Sequence, residues 1–124
     1  MKRDFDLLRK LLFYYEAKPD DRLEECPAID GYSNLEIKYH LLLTDDAGLI
    51  HCERGISSTS NRVIKVYPFS LTWAGHEFLD ACRNENLWHH AKKMAGDKLS
   101  SIPFDVLKTL LTQLVRDSIS GVRD

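Results

Sequence analysis

The chain predicts a mainly α-helical fold with one small antiparallel β-hairpin, a winged helix-turn-helix variant with additional C-terminal helices. Three observations predict it. A helix with a start signal at Ser33 runs from there to a glycine stop at Gly48. Two short β-prone runs, Leu49 to Glu53 and Val63 to Tyr67, flank a serine-rich tip. Helix-spaced apolar residues then recur from Leu71 nearly to the C-terminus.

Taken in order, Phe5, Leu8, Leu11, Leu12 and Tyr15 recur at helical spacing, which predicts a helix from Asp4 to about Ala17. Asp4 suits its N-cap or the positive end of its dipole. Pro19-Asp20-Asp21 ends it, and the acidic stretch to Pro27 has room only for a reduced second helix. Ala28-Ile29-Asp30 suggests a short strand before a turn at Gly31. Ser33 and Glu36 form a capping-box pair, so the next helix starts there. Gly48 supplies its C-terminal stop.

The hairpin follows. Gly55 to Asn61 is its polar tip, and Pro68 is expected to end the return strand. Thr72 caps a further helix, expected to continue to Met94 and to close at Gly96-Asp97. Ser101 is the expected cap of a last helix with Pro103 near its first position. Phe104, Leu107, Leu110, Leu111, Leu114 and Val115 give that helix an apolar stripe that needs a cover.

The 124 residues predict a single winged-helix-like domain, with a core over 1–80 and a helical extension over 81–124. Apolar residues at 44% and charged residues at 29% are ordinary for a globular chain. No apolar run reaches the roughly 18–20 residues of a membrane span, and the charged N-terminus lacks the core of a secretion signal. Cys26, Cys52 and Cys82 are odd in number and widely spaced, as for reduced thiols. A cytoplasmic location is the expectation.

Net charge is −2, which supplies no general attraction to nucleic acid. Its distribution is uneven. Lys2, Arg3, Arg9, Lys10 and Lys18 outweigh the acids of residues 1–18, whereas Asp20, Asp21, Glu24, Glu25 and Asp30 dominate residues 19–32. Arg54, Arg62 and Lys65 then make the hairpin basic.

Several blocks together carry a resemblance. They are Met1-Lys2-Arg3-Asp4, Gly31-Tyr32-Ser33, Tyr39-His40-Leu41, Ala47-Gly48-Leu49-Ile50, Leu71 to Asp80, and Pro103-Phe104-Asp105-Val106-Leu107. In these the chain resembles an uncharacterised bacterial and prophage winged-helix family, a domain-of-unknown-function family of DUF2513 type. The resemblance spans nearly the whole chain and implies a winged-helix fold with no known activity. One departure is Thr44, where the pattern leads one to expect leucine.

If Ile37, Leu41, Thr44 and Gly48 face the core, the opposite face of their helix carries Leu35, Tyr39, Leu42 and Asp46, with Lys38 and Leu43 at its borders. A helix apolar on both sides is buried on both, so this face is expected to be covered by the C-terminal helices or by a second subunit. Leu35, Tyr39, Leu42 and Leu43 are therefore the candidate partner-binding residues. The hairpin is the stronger nucleic-acid candidate. Arg54, Arg62 and Lys65, with Lys38 and Asn34 from the helix, form the candidate DNA-contact set, and Lys2, Arg3, Arg9 and Lys10 a second contact.

Other chemistry finds little support. Cys82, Glu85, His89 and His90 share a helical stretch without a matching ligand pair elsewhere. His51 and Cys52 are adjacent on a strand and so point to opposite faces. Trp73 and Phe78 read as core residues, Tyr14 and Tyr15 as one core ring and one rim ring. No phosphate loop, nucleophile elbow, cofactor motif or small-molecule site is evident, and an enzyme is not expected. Two functions stay open: a small regulatory or accessory protein contacting double-stranded DNA through its wing, or a homodimerisation or protein-interaction module.

Overall fold

The computed structural model describes residues 1–96 and 101–120. Among them lie five helices and one hairpin: α1 (Phe5–Ala17), α2 (Asn34–Asp46), β1 (Ile50–Ile56), β2 (Val63–Leu71), α3 (Trp73–Cys82), α4 (Glu85–Ala95) and α5 (Phe104–Ser120). Two compact units comprise Met1–His76 and Glu77–Asp124, and α3 runs through the boundary between them.

In the first unit α1 starts as its sequence predicts. The Asp4 carboxylate accepts from the backbone N–H groups of Asp6 (2.8 Å) and Leu7 (3.2 Å), two donors that the first turn leaves without helical partners. Phe5, Leu8, Leu11, Leu12 and Tyr15 are all buried. The following segment, residues 18–33, forms neither the reduced second helix nor the short strand at Ala28-Ile29-Asp30. Its polar groups are satisfied another way. The Glu24 N–H donates to the Pro68 carbonyl (3.1 Å), and the Lys18 ammonium donates to the carbonyls of Arg22 and Phe69. The segment thus lies along β2 as a loop, and among the described residues no helix stands between α1 and α2.

The capping box of α2 is complete. The Glu36 N–H donates to the Ser33 hydroxyl (3.1 Å), and the Ser33 N–H donates to the Glu36 carboxylate (2.9 Å). Ile37, Leu41 and Thr44 are buried as expected. Thr44 fits in place of leucine because its hydroxyl donates to the Leu41 carbonyl at 2.7 Å, so its own buried oxygen is matched. His40 joins the buried face, at 2% exposure. Its Nε2 accepts the Asp4 N–H and its Nδ1 donates to the Glu36 carbonyl, both at 2.8 Å. This ring fastens the start of α1 to α2. After Ala47 the chain turns at Gly48, whose φ of +72° is costly for any residue with a Cβ.

β1 and β2 pair antiparallel, from Ile50 opposite Leu71 to Ile56 opposite Val63, with irregularities at His51/Cys52 and Gly55/Ile56. β2 does not end at Pro68 but continues to Leu71. Proline is tolerated there because the sheet has only two strands and the ladder is already irregular at the facing position. The tip closes with the Ser57 N–H donating to the Arg62 carbonyl (2.7 Å). Thr72 caps α3 by accepting the Gly75 N–H (3.0 Å), and it donates to the Gly48 carbonyl (2.6 Å). Gly75 is packed so closely that a Cβ there would lie 2.1 Å from the Leu49 carbonyl oxygen.

In the second unit, the expected single helix from Thr72 to Met94 is two helices. It breaks at Arg83-Asn84, because the Asn84 side chain accepts the Leu87 N–H (3.0 Å) and begins α4 afresh. α4 meets Gly96 as its stop, and the expected Asp97 lies outside the described residues. α5 begins at Phe104, directly after Pro103, whose carbonyl accepts the Leu107 N–H. Leu107 and Leu111 are buried, whereas Phe104, Leu110, Leu114 and Val115 are half-buried, so the stripe is covered along its centre. Phe78 packs its ring 4.8 Å from that of Phe104. Among the described residues no helix is long and apolar enough to cross a membrane.

Candidate nucleic-acid interface

The hairpin and α2 hold all five candidate DNA contacts, and three of the five are hydrogen-bonded within the chain. Arg54, on β1 opposite Val66, reaches the last turn of α2. Its guanidinium grips the Asp45 carboxylate through Nε (2.8 Å) and Nη2 (2.5 Å). The Arg54 hydrogen bond holds the Asp45 carboxyl below its ordinary range, against the opposing effect of burial, and the Cys52 thiol donates to the same group. Arg54 is held more firmly protonated in return. Burial first, and the Asp45 carboxylate second, push the Cys52 thiol up to about 11.

Lys65 on β2 is paired as well. Its ammonium lies 2.9 Å from the Glu25 carboxylate and 5.1 Å from the centre of the Tyr67 ring. Lys38 of α2 lies within electrostatic reach of Glu25. Glu25, Lys38, Leu41, Lys65 and Val66 together line a small recess. The Lys65 hydrogen bond, then the Lys65 and Lys38 charges, lower the Glu25 carboxyl from its usual range. Asn34, in the first turn of α2, accepts from the Cys26 thiol at 3.1 Å. Cys26 and Glu25 of the acidic loop therefore engage Asn34 and Lys65, and Lys38 lines the same recess as Glu25. Arg62, exposed at the hairpin tip, stands outside any ion pair among the described residues.

The N-terminal basic residues serve mostly inside the fold. Arg9 is buried with its guanidinium 4.9 Å from the Phe13 ring centre, and Arg3 lies 4.5 Å from that of Phe5. The Lys18 ammonium is buried between Tyr15 and Glu24. Lys2 and Lys10 are exposed, Lys10 beside Tyr32. The second contact is thus reduced to these two lysines.

On the candidate partner face, Leu35 is 66% exposed, while Tyr39, Leu42 and Leu43 are half-buried. The expected cover does not extend over Leu35. Tyr15 is the core ring and Tyr14 the rim ring, meeting edge to face at 5.0 Å, and the Tyr14 hydroxyl donates to Glu24. Phe78 fills core as expected, but Trp73 is 82% exposed. It stands at the first position of α3. Cys82 is buried while Glu85, His89 and His90 are exposed, and among the described residues no group of three metal-binding side chains converges. His51 stacks on Phe69 at 6.3 Å, away from Cys52.

Sequence reasoning did not single out Glu25 or Asp45. Both lie in acidic runs, and their roles come from partners 40 and 9 residues away that only the fold brings near.

These observations define a mainly helical protein with one two-stranded hairpin, in which an acidic loop is tied to the helix before the hairpin. More particularly, the chain belongs to the family described as Hypothetical protein (DUF2513), whose pattern matches residues 2–101. The DUF2513 membership suggested by the sequence resemblance is borne out. The chain is 31% identical over 120 residues to an uncharacterized protein of Haemophilus influenzae, covering 93% of this chain and 99% of that protein. No solved structure matches it.

Proposed function

We propose that this protein is a winged-helix derivative that grips the phosphate backbone of double-stranded DNA, as a small cytoplasmic regulatory or accessory protein rather than an enzyme. The order helix, glycine stop, hairpin supports the winged-helix reading, with α2 in the position of the recognition helix and the hairpin as the wing. The sequence resemblance adds a bacterial or prophage setting.

One observation carries the reading. Lys65 from the wing pairs with the Glu25 carboxylate and Lys38 from the helix lines the same recess, an arrangement of cations suited to a backbone phosphate. Base reading is a poor match, because the same helix presents Leu35 and ends at Asp45 and Asp46. Electrostatic contact through the wing, with Arg62 at its tip, is the mode the residues favour.

Binding of a random duplex, followed by a mobility shift across a salt series, tests this. Affinity should fall steeply with salt, and Arg54→Ala/Arg62→Ala/Lys65→Ala should lose it. A second reading, a protein-interaction or homodimerisation module, is favoured by the exposure of Leu35, Ile56 and Ile64. Absence of any duplex binding at low salt, together with a dimer in sedimentation that Leu35→Ser dissociates, would select it instead.

A further inference from the structure

We infer that Glu25 is a built-in competitor for phosphate: the acidic loop occupies the Lys38–Lys65 anion site and weakens nucleic-acid binding until it is displaced. This rests on the phosphate-gripping reading above and adds its regulation.

The loop is positioned for the task by contacts on both sides of Glu25. The preceding residue, Glu24, donates its N–H to the Pro68 carbonyl, and its carboxylate accepts the Tyr14 hydroxyl and faces the Lys18 ammonium. The following residue, Cys26, donates to Asn34 at the start of α2. Between these two anchors Glu25 reaches Lys65 at 2.9 Å and shares a recess with Lys38. A loop thus bridges helix and wing, and among the described residues no helix stands between α1 and α2. The side chain it places there carries the same sign of charge as a phosphate oxygen.

The geometry also makes the competitor displaceable. Both side chains of the Glu25–Lys65 pair are partly exposed, and such pairs contribute little to stability. A polyanion that meets Lys38, Lys65 and Arg62 together gains more than the single carboxylate it replaces. The anchors at the Glu24 N–H and the Cys26 thiol do not involve the Glu25 carboxylate, so its release leaves the loop attached.

Fluorescence anisotropy of a labelled random duplex at low salt, with the whole chain, tests the inference. Four proteins are compared: wild type, Glu25→Gln, Glu25→Gln/Lys65→Ala, and Asp21→Asn. The last removes one negative charge from the same loop away from the recess. Glu25→Gln should bind about fivefold tighter than wild type, the scale set by losing one exposed ion pair. The double variant should lose that gain, and Asp21→Asn should show a smaller one. Wild-type binding with no gain in Glu25→Gln, or a gain equal to that of Asp21→Asn, overturns the competitor and leaves the phosphate reading standing. No binding by any of the four overturns both. Melting of each variant by circular dichroism confirms that exposed substitutions leave the fold intact.

Discussion

Replacing Gly75 by alanine should destabilise the protein, although alanine is the better helix former. Gly75 lies inside α3, where the exchange would ordinarily gain about 1 kcal/mol. Here an added Cβ would stand 2.1 Å from the Leu49 carbonyl oxygen, 3.1 Å from its carbon and 3.3 Å from the Leu71 Cβ. The obstacle is backbone, and that carbonyl already accepts the Thr72 N–H at 3.0 Å. Either α3 moves away from the start of β1, or the Leu49–Thr72 hydrogen bond breaks. Overpacking costs about 1–3 kcal/mol and the hydrogen bond about 1 kcal/mol. With both costs set against the helix gain, a net loss of about 1–3 kcal/mol is expected. Urea unfolding followed by far-ultraviolet circular dichroism measures it as a lower midpoint at unchanged slope. A Gly75→Ala protein as stable as wild type would refute the close approach of α3 to Leu49.

Three further outcomes follow from the first unit. His40→Ala removes a buried ring and orphans the Asp4 N–H, so it should cost about 2–4 kcal/mol and speed hydrogen exchange at the Asp4 amide; unchanged exchange there would contradict the fastening role. Asp45 has its folded-state pKa lowered, chiefly by the Arg54 hydrogen bond, so its contribution is present above the unfolded value near about 3.9 and is lost as pH falls through the folded one. Asp45→Asn should accordingly flatten the acid limb of the stability–pH curve, and an unaltered limb would count against the pair. The Cys52 thiol, pushed up to about 11, should alkylate at neutral pH roughly 100-fold more slowly than a free cysteine, as read by mass spectrometry. Alkylation at the rate of a free thiol would show that it is neither covered nor held by Asp45.

Local signals in the chain proved legible where the physics is local. Ser33 with Glu36, Asp4 before its helix, Gly48 as a stop and the Val63 start of the return strand each act through neighbours a few residues away. The misjudged features depend on distant ones. Pro68 stands within a strand because a ladder irregularity faces it, which no reading of residues 63–71 alone reveals. The α3–α4 break at Asn84 was hidden by continuous helical spacing, which a single side-chain cap interrupts. Loop 18–33 forms no helix because its backbone and lysine find partners on β2, more than 40 residues on. The candidate site divided the same way. Its cations were evident from composition, but that Glu25 and Asp45 already hold two of them is a consequence of tertiary folding.

The Glu25 side-chain carboxyl carbon, followed by nuclear magnetic resonance during a titration with duplex DNA at low salt, tests most directly whether DNA and the acidic loop share one pair of lysines. In the free protein this carboxyl should titrate below the ordinary glutamate range, held there chiefly by its hydrogen bond from Lys65. Saturation with duplex should move its resonance to that of an unpaired glutamate, as Lys65→Ala should without DNA. A Glu25 signal that stays unmoved while DNA is demonstrably bound would contradict the account.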